Sequence, residues 1–387
     1  MITSGFAYIA VLFAISGLIG MLDGANKYRI FKYIPGIVIL YFLVMLLSTF
    51  GFWEKTDSVN TTYKAVKGNL LPSMIFLLLL KGDIRQIATL GPKMILAFIT
   101  ASVSIGIGVV ITFMILNNWL PETAWMTFAA LSGSWMGGTG NMVAVQGALN
   151  IPDASMGYTL LIDSIDYAVW VMLLLAFVPL APQFNKWTKS NTKLIDEVSA
   201  RIEAKAQNPD AKIDAPSLMF LVGLGLAASA LAQYLASYFP ASDFFSQTTW
   251  TVLIVTVFGA LGAMTKLGGV AGSSELGNML LYGVVALIAS RANFAELTQA
   301  PIFIVAGFMI LLIHGVFMLV AAKLFKLDLF SCGVASLANV GGVASAPILA
   351  AAYSRALIPI GVLMAMLGYI IGTGGGLLIG KILLSLS

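Results

Sequence analysis

Residues 129–146 read Ala-Ala-Leu-Ser-Gly-Ser-Trp-Met-Gly-Gly-Thr-Gly-Asn-Met-Val-Ala-Val-Gln, and they lie inside a long apolar stretch. Four glycines fall within eight of these residues, namely Gly133, Gly137, Gly138 and Gly140. A glycine in a helix interior costs up to about 1 kcal/mol relative to alanine. The cluster therefore predicts that a helix is interrupted at residues 133–141.

A second stretch of the same kind occurs at residues 332–347, Cys-Gly-Val-Ala-Ser-Leu-Ala-Asn-Val-Gly-Gly-Val-Ala-Ser-Ala-Pro. A shift of about 204 residues places Gly137 and Gly138 on Gly341 and Gly342. The order of long, short and glycine-rich segments also repeats, so the two halves of the chain look related. Glycine-interrupted apolar segments at matching positions of two halves indicate the binding site of a transporter.

The composition is that of a chain embedded in lipid. Hydrophobic residues make up 59% of it and charged residues only 10%, and the mean hydropathy is +0.95. A soluble protein carries about 25% charged residues, and a helix needs about 20 apolar residues to cross the hydrocarbon core. We therefore predict an all-α polytopic membrane protein with twelve candidate segments, at about 4–22, 34–52, 68–88, 92–116, 123–149, 154–181, 215–238, 247–265, 273–290, 299–322, 329–352 and 355–384.

The one long polar stretch, 183–214, predicts a linker between a first membrane repeat at 1–182 and a second at 215–387. Its middle, residues 194–206, is compatible with a surface helix. Twelve alternating crossings make the two repeats parallel, whereas the positive-inside rule applied to each half favours inverted repeats. We expect inverted repeats, about 11–13 transmembrane helices and one discontinuous crossing helix in each half, with parallel repeats as the alternative.

Polar side chains flank both predicted breaks. Unwound backbone at membrane depth must be satisfied by protein, water or ligand, and half-helix ends supply partial charges of both signs. The breaks therefore predict a substrate site, although glycines that only permit close helix packing are an alternative. Its candidate residues are Ser134, Gly137, Gly138, Thr139, Gly140, Asn141, Gln146, Asn339, Gly341, Gly342 and Ser345.

Two aspartates lie in the apolar segment that follows the first break. Asp163 comes ten residues after Asp153, a candidate N-cap, which is about 15 Å along a helix and near the bilayer midplane. Asp166 is one turn further, on a neighbouring face. Charged aspartates at this depth are costly and mark ion pathways, so we expect this pair to bind Na⁺ or H⁺. A structural pair that is hydrogen-bonded to the broken helix is the alternative.

Other chemistries have little support in the sequence. The chain has one cysteine, Cys332, and one histidine, His314, which cannot form a disulfide or a Cys/His-based zinc site. We interpret His314 as a buried, hydrogen-bonded residue, with a proton relay as the alternative. The net charge of +4 is spread through short loops, so no nucleic-acid partner is expected. No cofactor and no metal are expected beyond Na⁺ or H⁺ at the aspartates.

The residues 133–141 and 338–347, together with the two-half layout, resemble the YjcL-like family of bacterial and plastid membrane proteins, long catalogued as a domain of unknown function. The chain is more distantly similar to the superfamily of cation/proton antiporters and bile-acid/sodium symporters. That resemblance implies inverted repeats whose broken helices cross in a core domain, which moves against a panel domain. It also implies that Asp163 and Asp166 bind the ion, but it names no substrate.

We therefore predict an ion-coupled secondary active transporter of a small organic solute in the cytoplasmic (inner) membrane. A cation/proton antiporter without an organic substrate is the alternative. An intramembrane aspartyl protease needs carboxylates from two helices, commonly in a Gly-x-Gly-Asp signature that this sequence lacks, so we expect no enzyme. A channel or a receptor explains the paired breaks less well. Expected partners are the solute or ion and the lipid bilayer, and a homodimer is compatible with the sequence.

Overall fold

The computed structural model describes residues 1–25, 29–32, 34–190, 213–242, 245–294, 297, 300–354 and 357–387. Within these ranges the chain is almost entirely helical, and its only extended pairing is an isolated bridge between Ile2 and Trp53. The described helices of eight or more residues are α1 (Gly5–Gly24), α2 (Gly36–Thr49), α3 (Asp57–Leu79), α4 (Gly91–Leu116), α5 (Ala124–Gly137), α6 (Thr139–Ala148), α7 (Ser155–Phe177), α8 (Ala181–Thr188), α9 (Ala215–Ala236), α10 (Gln247–Ala263), α11 (Ser273–Ala289), α12 (Ala300–Phe325), α13 (Leu329–Val340), α14 (Gly342–Tyr353) and α15 (Ile358–Leu384).

Helices occur in all twelve predicted segments, and one of them begins well before its predicted start. Helix α3 begins at Asp57, not near residue 68, because the side chain of Thr56 caps it by accepting from the backbone N–H of Val59. Its first turns are polar, so a search for apolar runs passes over them. Six helical stretches of the described residues are long and apolar enough to cross a membrane.

The helices pack in two groups. The α3 group contains α1, α2, α9, α10 and α11 around the central helix α3. The α15 group contains α4, α5, α7, α12, α13 and α14 around α15. Helix α6 lies between the two groups and packs against α3, α10 and α15. This arrangement gives the molecule one seam, and α6 lies along it.

Helix α3 contacts its neighbours through leucines that press against glycines. Because a glycine has no side chain, the leucine tip reaches the backbone of the neighbouring helix. The contacts are Leu71 on Gly147, Leu77 on Gly225, Leu78 on Gly140 and Gly277, Leu79 on Gly259, and Leu80 on Gly262. Two of these glycines, Gly140 and Gly147, belong to α6, so the seam is packed in the same way as the interior of the α3 group.

The two glycine-rich segments fold back on themselves. The rings of Phe330 and Tyr353 lie 5.3 Å apart, whereas a straight helix would separate them by about 35 Å. Gly133 likewise packs against Val145 and against the backbone of Asn141. Helices α5 and α6 therefore form one hairpin (hairpin 1), and α13 and α14 form another (hairpin 2). The sequence predicts a discontinuous crossing helix in each half, whereas in the structure the two helices of each segment lie side by side.

The loops gather at two opposite ends of the helix bundle. At the first end, the indole N–H of Trp53 donates to the carbonyl of Ser290, and Thr249 donates to the carbonyl of Ala148, at the base of hairpin 1. The base of hairpin 2 lies at the second end, where the backbone N–H of Leu329 donates to the side-chain oxygen of Asn185.

Also at the second end, the ammonium of Lys81 donates to the carbonyls of Gly268 and Val270. The two hairpins thus enter the bundle from opposite ends, and their tips meet. A Cβ atom built on Gly342 would lie 3.6 Å from the Cα atom of Gly138.

The predicted linker begins with helix α8, which packs against α12 and α13. Residues 191–212, including the surface helix predicted at 194–206, lie outside the described residues.

Candidate functional site

The centre of the candidate site is the junction of the two hairpin tips. Gly138 separates α5 from α6 with φ +90° and ψ 173°, a conformation that is essentially restricted to glycine. Gly342, at the start of α14, has φ +61°. Because neither residue carries a side chain, two backbone segments approach each other closely in the middle of the bundle.

Asn141 fastens the tip of hairpin 1 to α15. Its amide nitrogen donates to the carbonyl of Gly137 at 2.7 Å, and its amide oxygen accepts from the hydroxyl of Thr373 at 2.6 Å. Gly137 also packs against the backbone of Gly368. Both polar atoms of Asn141 are therefore occupied, so its primary role in this conformation is to hold the tip. Thr139, the first residue of α6, is half-buried at the same tip.

Asp163 lies beside the last turn of α5, next to this tip. One of its carboxylate oxygens accepts from the hydroxyl of Ser134 and from the indole N–H of Trp135, both at 3.0 Å. Ser134 and Trp135 belong to that last turn, so Asp163 on α7 is tied directly to hairpin 1. Hydrogen bonds to a carboxylate favour its charged form.

Asp166 has a different environment although it is one turn away. Its side chain is completely buried and packs directly against Gly307 of α12 and beside Ile162. Neither carboxylate oxygen has a hydrogen-bond partner among the described residues. Burying an unpaired carboxylate is costly, so this group calls for a proton or a cation.

The second hairpin reaches the same helix through Tyr167. Gly341 packs against the ring of Tyr167 and against the side chain of Ser345. Ser345 is buried in the first turn of α14. Helix α7 therefore contacts hairpin 1 through Asp163 and hairpin 2 through Tyr167. Three site residues, Tyr167, Gly307 and Thr373, were not predicted, because nothing in the linear sequence distinguishes them.

The side chains of two predicted substrate residues are held by other partners. Gln146 is near the base of hairpin 1, where its amide nitrogen donates to Asp153 at 2.7 Å. Asn339 is completely buried, accepts from the hydroxyl of Ser102 at 2.6 Å and donates to the carbonyl of Ala335 at 2.9 Å. Asn339 lies in the last turn of α13, beside the tip of hairpin 2, but its side chain, like that of Gln146, is held by a partner that the linear sequence does not reveal.

His314 belongs to a closed chain of hydrogen bonds. The indole of Trp170 donates to Ser336, whose hydroxyl lies 2.8 Å from Nε2 of His314. Nδ1 of the same ring lies 2.7 Å from the hydroxyl of Ser104, which donates to the carbonyl of Ala101. A neutral imidazole with its proton on Nδ1 satisfies every member of this chain. This geometry agrees with the interpretation of His314 as a buried, hydrogen-bonded residue.

Among the described residues, no group of three or more His, Cys, Asp or Glu side chains is placed to hold a metal ion. The site chemistry therefore rests on the carboxylates of α7, on the hydroxyl and indole groups of α5, and on the backbone of the two tips.

The apolar helices and the polar junction within their bundle define a polytopic helical membrane protein. The chain belongs to the family described as "Protein of unknown function (DUF819)", which matches residues 10–386. It is 25% identical over 396 residues to the "Uncharacterized membrane protein YjcL" of Bacillus subtilis (strain 168), and the match covers 97% of this chain and 95% of that protein.

Proposed function

We propose that the protein is an ion-coupled secondary active transporter of a small organic solute. The observation that carries this proposal is the meeting of two glycine hairpin tips beside Asp163 and Asp166, the second of which is buried without a hydrogen-bond partner among the described residues. A membrane protein that retains such a carboxylate has a use for a cation or a proton at that position. Na⁺ and H⁺ both fit the carboxylates.

The hairpins also support inverted repeats. If each half contributes five crossing helices and one hairpin that returns to its own side, equivalent helices are five crossings apart. Five is odd, so the halves are inverted, whereas six crossings per half would make them parallel. Twelve crossings would make the repeats parallel, whereas the loop charges favour inverted repeats. This conflict disappears if one segment in each half does not cross the membrane.

The distribution of positive charge favours the same topology. In that topology ten of the fifteen Lys and Arg residues among the described residues lie at the second end. By the positive-inside rule, that end faces the cytoplasm. These ten residues are Arg29, Lys32, Lys81, Arg85, Lys93, Lys186, Lys189, Lys266, Lys323 and Lys326.

The tips offer complementary partial charges to a solute. Helices α6 and α14 begin at the junction, so their N-termini bring partial positive charge, while α5 and α13 end there with partial negative charge. An anionic group of a solute is stabilised at the N-termini, and a cation is stabilised at the C-termini and at Asp163. We propose that Ser134, Thr139 and the backbone of the tips contact the solute.

Alternating access then takes place along the seam. The α15 group carries both aspartates and both tips, and it moves against the α3 group with α6 at the boundary. A cation/proton antiporter without an organic solute would use the same carboxylates, and ion flux without solute uptake would identify it. We place the protein in the cytoplasmic membrane.

The test is uptake into proteoliposomes, with solutes first selected by their ability to raise the Tm of the purified protein with and without Na⁺ at two pH values. Asp163→Asn and Asp166→Asn should abolish ion-dependent uptake while the protein stays folded. Asp57→Asn, an exposed aspartate in the first turn of α3, is the matched control and should transport normally. Normal coupled uptake by Asp163→Asn would refute the assigned role.

A further inference from the structure

A polar cavity of about 580 Å³ lies at the first end of the bundle, between the α3 group and hairpin 1. Its walls come from α3, α6, α9, α10 and the loop after α6, and they include Tyr63, Lys64, Lys67, Gln146 and Asp153. This volume is in the range of pockets for small ligands. Gln146 is seven residues, or about 10 Å, along α6 from Thr139, so the cavity is separate from the junction of the tips.

Asp153 is the central polar group of this cavity. It forms an ion pair with the ammonium of Lys67 at 2.8 Å, accepts from the amide nitrogen of Gln146 at 2.7 Å, and accepts from the hydroxyl of Tyr63. Lys67 and Tyr63 belong to α3, whereas Gln146 belongs to hairpin 1. The ion pair therefore ties the two sides of the seam together at the first end.

The arrangement leaves one polar atom unsatisfied. Because the amide nitrogen of Gln146 faces the carboxylate of Asp153, the orientation of the amide is fixed and its oxygen points away from Asp153. The side chain is 1% exposed, and this oxygen has no hydrogen-bond partner among the described residues. A buried carbonyl without a donor is costly, and Gln146 is one of the residues that line the cavity.

We propose that this cavity is a binding site for a small zwitterion with a free ammonium group, which is the chemistry of an α-amino acid. The ammonium donates to the side-chain oxygen of Gln146 and to Asp153, and the carboxylate meets Lys67 and Lys64. The ammonium of such a solute pairs with Asp153 and its carboxylate pairs with Lys67, so every charge of the solute and of the protein pair keeps a partner. A simple anion would pair with Lys67 and leave Asp153 without a counter-charge, and a simple cation would do the reverse. Either outcome leaves an unpaired charge, which is costly in free energy.

Binding also changes the contact between the helix groups. Once the solute has taken over the charges of Lys67 and Asp153, the ion pair between α3 and the loop after hairpin 1 is released, and the hydrogen bond from Tyr63 to Asp153 remains as the direct tie. Occupancy of the cavity therefore loosens the seam at the first end. The binding event itself does not require the transport activity proposed above, since it involves none of the residues at the hairpin tips.

Calorimetric titration of the purified full-length protein with the neutral L-amino acids tests the proposal. Acetate, methylammonium and glycine betaine are the control solutes, and betaine carries both charges but no N–H donor. At least one amino acid should bind about tenfold more tightly than each of the three control solutes, a difference in affinity that corresponds to one good hydrogen-bonded contact. The preference over betaine should disappear in Gln146→Met and weaken in Lys67→Met.

Asp163→Asn separates this site from the one at the tips, and it should bind the same amino acid with unchanged affinity. If Gln146→Met does not fold, the Lys67→Met titration decides in its place. The proposal is overturned if no amino acid binds more tightly than acetate, if the preference over betaine survives in both cavity variants, or if binding is lost in Asp163→Asn.

Discussion

Gly138 and Gly342 approach each other from opposite ends of the bundle, so that a Cβ atom on Gly342 would lie 3.6 Å from the Cα atom of Gly138. They are the turning points of two hairpins that are separated by about half of the chain. Within the described residues of the two hairpins, only these two residues have a positive φ. Their contact brings both turning points together next to the carboxylates of α7.

The conformation of Gly138 predicts a strong effect of a single methyl group. Gly138→Ala must hold a non-glycine residue at φ +90° and should lose about 1–3 kcal/mol of stability, together with uptake activity. Gly374→Ala in α15, where no atom lies within 4 Å of the added Cβ, should be neutral or stabilised by up to about 1 kcal/mol. Thermal unfolding of both variants in detergent checks this, and equal Tm values would argue against a positive φ at Gly138.

The hairpins predict which loops share a side of the membrane. In a Cys332→Ala background, Lys55→Cys and Asn150→Cys should both react with an impermeant maleimide applied from outside the cell. Lys266→Cys should react only after permeabilisation. If α5 and α6 together formed one crossing of the membrane, the residues at 55 and 150 would lie on opposite sides, and this labelling pattern would not be obtained.

Gly307 provides the space for Asp166. A methyl group at Gly307 would overlap the carboxylate, so Gly307→Ala should cost about 1–3 kcal/mol of stability by overpacking and should impair ion-dependent uptake. Gly307→Ala combined with Asp166→Ala should recover part of the stability, because the two residues are in contact while the added methyl still meets Ile162, and it should not recover the uptake. Failure of the double variant to recover would mean that Gly307 matters for another reason.

His314 should affect stability and leave coupling intact. His314→Phe leaves the hydroxyls of Ser104 and Ser336 without their partner and should cost about 1–3 kcal/mol. The dependence of uptake on pH should be that of the parent protein, because the neutral imidazole is already satisfied within its chain. Ser104→Ala, which removes a partner from the same chain, should behave alike. A shifted pH profile in His314→Phe alone would restore the proton-relay alternative.

Much of the fold follows from hydropathy, since each of the predicted segments contains helix. The hairpins could not be predicted in this way, because a helix interrupted at Gly138 has the same apolar length whether its halves run on or fold back. The one signal in the sequence was the conflict between helix count and loop charge, which disappears when one segment in each half returns to its own side.

Ser134 and Asp163 stand on consecutive segments, so their hydrogen bond could be anticipated from the sequence. Contacts between residues that are distant in the sequence could not. Gln146 is held by Asp153 and Asn339 by Ser102, so two polar residues near a break serve other contacts. Gly307 lies in an apolar helix and looks like any packing glycine until its neighbour Asp166 is known.

The leucines of α3 that rest on glycines of α6 have a practical consequence. A leucine side chain that packs against glycine backbone can shift by small steps without breaking a hydrogen bond. The contacts of Leu71 and Leu78 therefore allow α3 and α6 to slide past each other. A bulky residue in place of Gly140 or Gly147 would overlap these leucines and block the sliding of α3 against α6. Under the alternating access proposed above, such variants should hold the molecule in a single state, which is the form of the protein best suited to cryo-microscopy and to raising conformation-specific antibodies.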